Sequence, residues 1–153
     1  MKVKNILISI LSLTILSTSN IKIRGVLYMK KIAFICVHNS CRSQIAEALC
    51  KIYRKDLISY SAGVEIKGSI NSDALRIMKE RYNIDMSNQY PKLLSDIPDC
   101  DIYISMGCNV TCPFINKGFD DNFNIEDPSG KDDETFIRAI ELIKEKIINL
   151  NIK

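Results

Sequence analysis

The sequence has little of several features that define common functional classes. Its 153 residues include one histidine and carry a net charge of only +3, from 21 basic and 18 acidic residues that are interspersed along the chain. No internal repeat and no low-complexity segment is present. The apolar run near the N-terminus holds about a dozen apolar residues, too few to span a bilayer comfortably. We therefore expect neither a nucleic-acid partner nor a membrane span.

The chain has enough apolar material for a core of its own. At 46% hydrophobic content it fits one compact domain. Its six cysteines are unlike a disulfide scaffold and suit a reducing compartment such as the cytoplasm, where thiols can do chemistry. A zinc site needs four Cys or His ligands, and the one histidine lies in a loop assigned below to anion binding. No metal and no cofactor are expected.

The first 28 residues are expected to lie outside this domain. Lys2 and Lys4 precede the apolar run, as in a short secretory signal. Export to an oxidising exterior conflicts with chemistry by free thiols. The other explanation is that the protein starts at Met29 and that residues 1–28 are a translated leader. In either case residues 29–153 form the domain.

Apolar runs alternate with helical periodicity, which predicts an α/β sheet with right-handed crossovers. We expect strands at residues 31–36, 57–61, 101–106 and 122–125. The expected helices cover residues 43–55, residues 73–82 with Asn71 or Ser72 as the cap, a short segment opened by Pro91, and residues 132–149.

Residues 32–47 predict a strand, a loop and a helix, with Cys36 and Arg42 at the two ends of the loop. A loop that enters a helix presents unpaired N–H groups and the positive end of the helix dipole, which favours an anion. The same field favours a thiolate, since at such positions cysteine pKa values fall to about 3.5–7.5. The planar fork of Arg42 suits two oxygens of a tetrahedral oxyanion. The alternative is a buried structural cysteine beside a surface arginine.

Other residues of this loop are expected to order it. Ser43 can cap the first helical turn or donate to the sulfur, and Asn39 tolerates left-handed backbone and can tie the loop to itself. The predicted oxyanion-binding residues are Val37, His38, Asn39, Ser40, Cys41, Arg42 and Ser43.

Two later segments are expected at the same edge of the sheet, because parallel sheets bind ligands outside the carboxyl ends of their strands. Cys108 and Cys112 follow Gly107, which gives a mobile loop from which a thiolate can attack a sulfur. These cysteines could also pair with one another, bind a metal or be structural. Asp127, before Pro128, would hold a carboxylic acid over the anion loop, although most Asp–Pro pairs are simple turns.

Residues 30–150 resemble the low-molecular-weight tyrosine phosphatase superfamily, and its arsenate reductase branch in particular. The resemblance is carried by residues 36–44, Ser61-Ala62-Gly63, Ile84-Asp85, Ser87-Asn88, Met106-Gly107-Cys108 and Cys112-Pro113. It implies a single domain with a four-stranded parallel sheet and helices on both faces.

The resemblance also implies an activity, the reduction of arsenate to arsenite for arsenic detoxification. Cys36 would attack arsenic while Asp127 helps a hydroxide leave as water. Cys108 would then attack the sulfur of Cys36, and Cys112 would resolve that disulfide by pairing with Cys108. A thioredoxin-like partner or a low-molecular-weight thiol would reduce the final disulfide, without a bound cofactor.

The chain departs from the thioredoxin-coupled pattern in two places. Ser105 stands where the first outer cysteine would be, so Cys108 takes that role, as in a sub-branch with Met-Gly-Cys and Cys-Pro. Some members also bind potassium. Asn39, Glu47 and Ser61 match that site, but Lys92 stands at the fourth position, where its ammonium could replace the metal.

Two other functions are open. A tyrosine phosphatase would use the same loop, with a phosphocysteine on Cys36 and Asp127 as the acid. Phosphatases of this group usually carry an aromatic residue after Asp–Pro and a proline after Arg–Ser, where this chain has Ser129 and Gln44. Residual phosphatase activity is expected even with arsenate as the substrate. A non-enzymatic thiol sensor would use Cys108 and Cys112 as a redox switch, but it has no need of an ionised Cys36.

Overall fold

The structure is a computed structural model that describes residues 29–107 and 118–152. The described residues form one parallel sheet with strand order β2-β1-β3-β4, three α-helices and one short 3-10 helix. The strands are β1 (Lys30–Cys36), β2 (Leu57–Gly63), β3 (Ile102–Ser105) and β4 (Asp121–Asn122). The helices are α1 (Arg42–Tyr53), α2 (Ser72–Tyr82), the 3-10 helix (Leu94–Asp96) and α3 (Asp133–Ile148). The leader assignment for residues 1–28 and the predicted roles of Cys108 and Cys112 lie outside the described residues.

Strand β1 lies in the middle of the sheet. Its last residue, Cys36, pairs with Gly63 of β2, and on the other side Ile35 pairs with Ser105 of β3. The chain leaves β1 toward β2 and then returns across β1 to form β3, so the strand order reverses between β1 and β3. Crevices at such reversals, outside the carboxyl ends of the strands, are where open α/β sheets bind ligands.

The two faces of the sheet bury different amounts of apolar surface. Ile32 and Phe34 of β1 belong to a large core cluster to which α1, α2 and α3 all contribute. On the opposite face Ala33 and Ile35 join a smaller cluster covered by the segment around the 3-10 helix. The predicted four-stranded parallel fold is confirmed. Among the described elements the three α-helices share one face, and the other is covered by the 3-10 helix with its flanking residues.

Helix capping follows the expected chemistry at two N-termini. The side chain of Asn71 accepts hydrogen bonds from the backbone N–H groups of Asp73 and Ala74. Asp132 caps α3 by accepting from the N–H of Thr135 at 2.9 Å. Both caps satisfy N–H groups that have no partner within the helix.

Two element predictions are wrong. Pro91 does not open a helix, because the next residues run along the end of β2: the N–H of Gly63 donates to the carbonyl of Lys92, and Leu93 forms a β-bridge with Gly63. The helical turn therefore starts only at Leu94. Strand β4 ends at Asn122, and Asn124, with φ of 50°, interrupts the extended geometry predicted up to residue 125.

None of the helices among the described residues is long and apolar enough to cross a membrane.

Candidate active site

The anion loop connects the end of β1 to the start of α1. Cys36 is the last residue of the strand and Arg42 the first of the helix, as predicted. The loop surrounds a cavity of about 90 Å³. The cavity is lined by Cys36, Val37, His38, Ser40, Cys41, Arg42 and Asp127. A predicted acid from the other end of the chain therefore joins the loop at one small cavity.

The sulfur of Cys36 lies among hydrogen-bond donors. The hydroxyl oxygen of Ser43 is 2.8 Å from the sulfur, and the backbone N–H of Asn39 donates to it at 3.2 Å. The side-chain amide of Asn39 donates to the Ser43 oxygen at 2.8 Å. Since that oxygen already accepts a hydrogen bond, the Ser43 hydroxyl can direct its own hydrogen at the sulfur. Donors of this kind favour a thiolate, so of the two predicted roles of Ser43 the structure selects donation.

Asn39 holds the loop together from behind the cavity. It is fully buried and its backbone has φ of 51°, the left-handed geometry that the sequence predicts there. Its side-chain oxygen accepts from the Gln44 amide at 2.8 Å and from the backbone N–H of Lys92 at 2.8 Å. Asn39 and Ser43, predicted to bind the oxyanion, do not line the cavity, and both contact the sulfur of Cys36.

Sequence reasoning missed the role of Gln44. Its amide also donates to the backbone carbonyl of Asn39 at 3.0 Å, and its own oxygen accepts from Gln89 at 2.7 Å. The sequence signal that could have indicated a polar contact to the loop is a glutamine in the first turn of an amphipathic helix, one residue after Ser43.

The end of β2 packs directly on the anion loop. A Cβ atom at Gly63 would lie 2.7 Å from the carbonyl oxygen of Val37 and 2.9 Å from the nitrogen of Asn39. The next two residues, Val64 and Glu65, both donate backbone N–H groups to the Val37 carbonyl, at 3.0 and 3.1 Å. Only glycine allows this close approach of strand and loop.

Arg42 and Asp127 contact one another at the cavity. Arg42 is buried, and its guanidinium donates to the carbonyl of Ile125 at 2.8 Å and to the Asp127 carboxylate at 3.3 Å. Partial burial opposes ionisation of Asp127, but hydrogen bonds from Ser129 and the charges of Arg42 and Lys131 outweigh it, so its pKa lies below the usual value. Asp127 is therefore ionised at neutral pH.

Two other described thiols have environments unlike that of Cys36. Burial, reinforced by the nearby Asp127 carboxylate, raises the pKa of Cys41 to about 12. Burial also raises the pKa of Cys50, in the core face of α1, to about 11. Cys50 is 1% exposed and packs in the core as a small apolar group.

Glu47 lies beneath the loop as a buried carboxylate with several partners. The Ser61 hydroxyl donates to it at 2.5 Å, the Lys92 ammonium at 3.3 Å and the Lys51 ammonium at 2.5 Å. The Lys92 side chain is 11% exposed, and its ammonium lies beside the carboxylate of Glu47. Glu47 is one of the three residues that match the potassium site of some family members. No group of metal ligands is found within the described ranges.

Comparison with known proteins agrees with this geometry. The family model described as low molecular weight phosphotyrosine protein phosphatase matches residues 31–153. The chain belongs to this family. Within the phosphatase family it is similar to arsenate reductase 2 of Bacillus cereus (strain ATCC 10987 / NRS 248), at 40% identity over 131 residues that cover 77% of this chain and 91% of the relative. An arsenate reductase of Staphylococcus xylosus is 35% identical over 133 residues, which cover 81% and 98% of the two chains.

A solved structure of the same phosphatase fold gives a third comparison. The chain is similar to an arsenate reductase in the phosphate-binding state, with a TM-score of 0.71, 33% sequence identity and coverage of 80% of this chain and 96% of the other. The resemblance to the arsenate reductase branch is therefore confirmed. The comparisons assign no role to individual residues, so the roles of Cys36, Arg42, Asp127, Cys108 and Cys112 stay predictions.

Proposed function

We propose that this chain is an arsenate reductase that converts arsenate to arsenite for arsenic detoxification. The proposal depends chiefly on one observation: the sulfur of Cys36, with donors on two sides, faces a cavity that also holds Arg42 and Asp127. Arsenate is a phosphate-like tetrahedral oxyanion, and relatives covering most of the chain carry the name arsenate reductase. The fit to a small oxyanion and the names of these relatives point to the same substrate.

The first step uses the described residues. Arsenate enters the cavity, where the loop N–H groups and Arg42 balance its charge. The Cys36 thiolate attacks arsenic and forms an S–As bond, while an As–O bond breaks and the hydroxide leaves as water with a proton from Asp127. Because the pKa of Asp127 is low, its carboxylate must gain this proton as the anion binds. Arsenic is still in its oxidised state after this step.

The reduction itself needs a second thiol. The Cys108 thiolate attacks the sulfur of Cys36, the S–As bond breaks, and its electron pair stays on arsenic, which leaves as arsenite. Cys112 then attacks Cys108, which frees Cys36 and forms a disulfide between Cys108 and Cys112. The position of Gly107 supports this order, because this residue, directly before Cys108, lines an open groove with Arg42 and Asp127 beside the cavity.

An external thiol completes the cycle by reducing the disulfide of Cys108 and Cys112. A thioredoxin-like protein or a low-molecular-weight thiol has the required chemistry. Such reductants are maintained in the cytoplasm, which is the compartment we propose for the enzyme. The high pKa values of Cys41 and Cys50 support this assignment of roles, since protonated thiols are poor nucleophiles and do not compete with Cys36.

Serine variants test the reaction and separate it from phosphatase chemistry. Cys108→Ser and Cys112→Ser should each abolish multiple turnover of arsenate with a thiol reductant, because the relay stops, yet leave hydrolysis of an aryl phosphate nearly intact. Cys36→Ser should abolish both activities. Cys50→Ser is the matched control for a thiol outside the cavity. Full arsenate turnover in both Cys108→Ser and Cys112→Ser would contradict the relay.

A further inference from the structure

His38 lies in the anion loop, and its side chain has a partner outside the cavity. The residue lines the cavity, and its ring nitrogen Nε2 is 2.7 Å from Oε1 of Glu65, which does not line it. The His38 side chain is 36% exposed and that of Glu65 63% exposed. The steps proposed above do not use this pair, although His38 lines the same cavity as Cys36.

The backbone on both sides of this pair is fixed. Val37, before His38, accepts two backbone hydrogen bonds from Val64 and Glu65. Asn39, after His38, donates its N–H to the sulfur of Cys36 and is fully buried. Because both neighbours are anchored, the His38 ring can move away from the cavity only by rotating its own side chain, and that rotation breaks the contact with Glu65.

The cavity is bordered by a second side chain that is also held. Asp127 comes from the loop after β4 and is held by Arg42 at 3.3 Å. Cys36, Cys41 and Arg42 supply the other titratable or charged groups of the lining. His38 and Asp127, each held by a partner side chain, therefore both line this cavity of about 90 Å³.

We propose that His38, held in place by Glu65, is a specificity-determining residue that admits free tetrahedral oxyanions and disfavours aryl esters. A free oxyanion fits within the cavity, whereas an ester must carry its aryl group past the lining residues, of which His38 is one. This inference deepens the proposed function, since it concerns which anions reach the same Cys36. It does not depend on arsenic being reduced.

Binding of two stable probes tests the inference without turnover. Inorganic phosphate represents the free oxyanion, and benzylphosphonate represents an aryl ester that cannot be hydrolysed. The affinity of each is measured by its protection of Cys36 from alkylation by iodoacetamide, read by peptide mass mapping. We compare the wild type with Glu65→Ala, with Glu65→Gln as the matched control because a glutamine oxygen can still accept from the ring, and with His38→Ala.

The preference for benzylphosphonate over phosphate should rise about tenfold in Glu65→Ala and in His38→Ala, the scale expected when a small steric restriction is removed from a binding site. It should change less than about twofold in Glu65→Gln, and phosphate affinity should change less than about threefold in Glu65→Ala. An unchanged preference in Glu65→Ala would overturn the inference, even if His38→Ala proved too unstable to assay. Failure to reduce arsenate would overturn the proposed function and leave this comparison interpretable.

Discussion

At the scale of single residues, the site depends on which thiol becomes a thiolate. Cys36 and Cys41 belong to the same loop and both line the cavity. Cys36 has the Ser43 hydroxyl and the Asn39 N–H beside its sulfur, whereas burial and the Asp127 carboxylate raise the pKa of Cys41 to about 12. Burial together with local hydrogen bonds and charge decides which sulfur can act as the nucleophile.

This difference predicts a pH-dependent pattern of alkylation. At pH 8 a thiol with pKa of about 11 or 12 is ionised in roughly one molecule in a thousand or fewer, so Cys41 and Cys50 should resist iodoacetamide in the folded protein. Cys36 should react rapidly at pH 7 and be protected by phosphate. The reactivity of Cys41 and Cys50 should rise only as the pH increases toward their raised pKa values. Peptide mass mapping measures each site, and the urea-unfolded protein, in which all thiols react, is the control. Fast labelling of Cys41 at pH 7 would contradict the assignment.

Most residues of the candidate site could be predicted from the sequence, because local patterns carry the information. Cys36, Arg42 and Ser43 lie within one strand–loop–helix segment whose spacing fixes their relative positions. The contact from Lys92 to Asn39 spans 53 residues, and its existence depends on how the segment after α2 lies against β2. No periodicity in one sequence encodes such a contact, so the hydrogen bonds behind the loop could not be predicted and depend on the three-dimensional fold.

At the scale of elements, the anion loop depends on the strand and segments beside it. The end of β2 contacts the loop through Gly63, and residues 92 and 93 continue along the same strand end. The loop is therefore fixed from two directions by backbone contacts as well as by its own internal hydrogen bonds.

Gly63→Ala tests this dependence. The added Cβ would lie 2.7 Å from the carbonyl oxygens of Val37 and Glu65, both of which are backbone atoms and cannot move alone. We expect a loss of about 1–3 kcal/mol in the free energy of unfolding, as in other overpacked sites, together with at least a tenfold loss of phosphate affinity. Gly68→Ala is the control: its φ of 70° strains alanine, but nothing lies within 4 Å of the new Cβ. Gly68→Ala should lose stability and keep phosphate affinity; equal effects on phosphate in both variants would contradict the role of Gly63.

The contact between Lys92 and Glu47 gives a second prediction at the scale of elements, which concerns stability. Its ammonium shares the buried Glu47 carboxylate with Ser61 and Lys51. Lys92→Met should destabilise the protein by about 1–3 kcal/mol, since a buried charged group loses a partner. A second expectation concerns the salt. Wild-type activity should be the same in potassium and sodium chloride, and a wild type that needs potassium would contradict the replacement of the metal by the ammonium.

In Lys92→Ala, where space for a cation is left, potassium should restore stability. Thermal unfolding of this variant in the two salts measures the effect.

Predicted elements were correct where apolar periodicity is strong and wrong where tertiary contacts override it. Phe136, Ile140 and Ile143 of α3 are fully buried as their spacing predicts. Ile52, in the last turn of α1, is 42% exposed even though it continues the apolar periodicity of that helix. The segment after Pro91 followed the edge of β2 instead of its own helical preference.

At the scale of the molecule, the alternation of strands and helices was sufficient to predict a parallel α/β sheet, and the family resemblance indicated that the sheet has four strands. The resemblance also implied helices on both faces, but neither signal told which segment covers which face. The large cluster contains residues of α1, α2 and α3 together, and the smaller one is closed by side chains such as Leu94 and Ile97 from the 3-10 segment. Which segment covers which face depends on the relative apolar areas of all of them, a property of the whole chain.

The domain boundary gives a prediction at this scale. A protein starting at Met29 should keep the melting temperature within about 2 °C and keep phosphate affinity, because β1 begins at Lys30 and its residues pair within the domain. A second truncation, starting at Ile32, is the control and should be less stable, since it removes Lys30 and Lys31 from their pairing with β2. A large stability loss on starting at Met29 would show that residues 1–28 contribute to the fold.

The place of β1 in the middle of the sheet has a consequence for the timing of catalysis. Hydrogen bonds to β2 and β3 hold this strand on both sides, so its last residue can be displaced only by opening the interior of the sheet, which is among the rarest fluctuations of a folded domain. In the proposed relay the first sulfur is accordingly a stationary target. All the travel falls to the incoming thiols, and the turnover rate is expected to follow how fast they arrive.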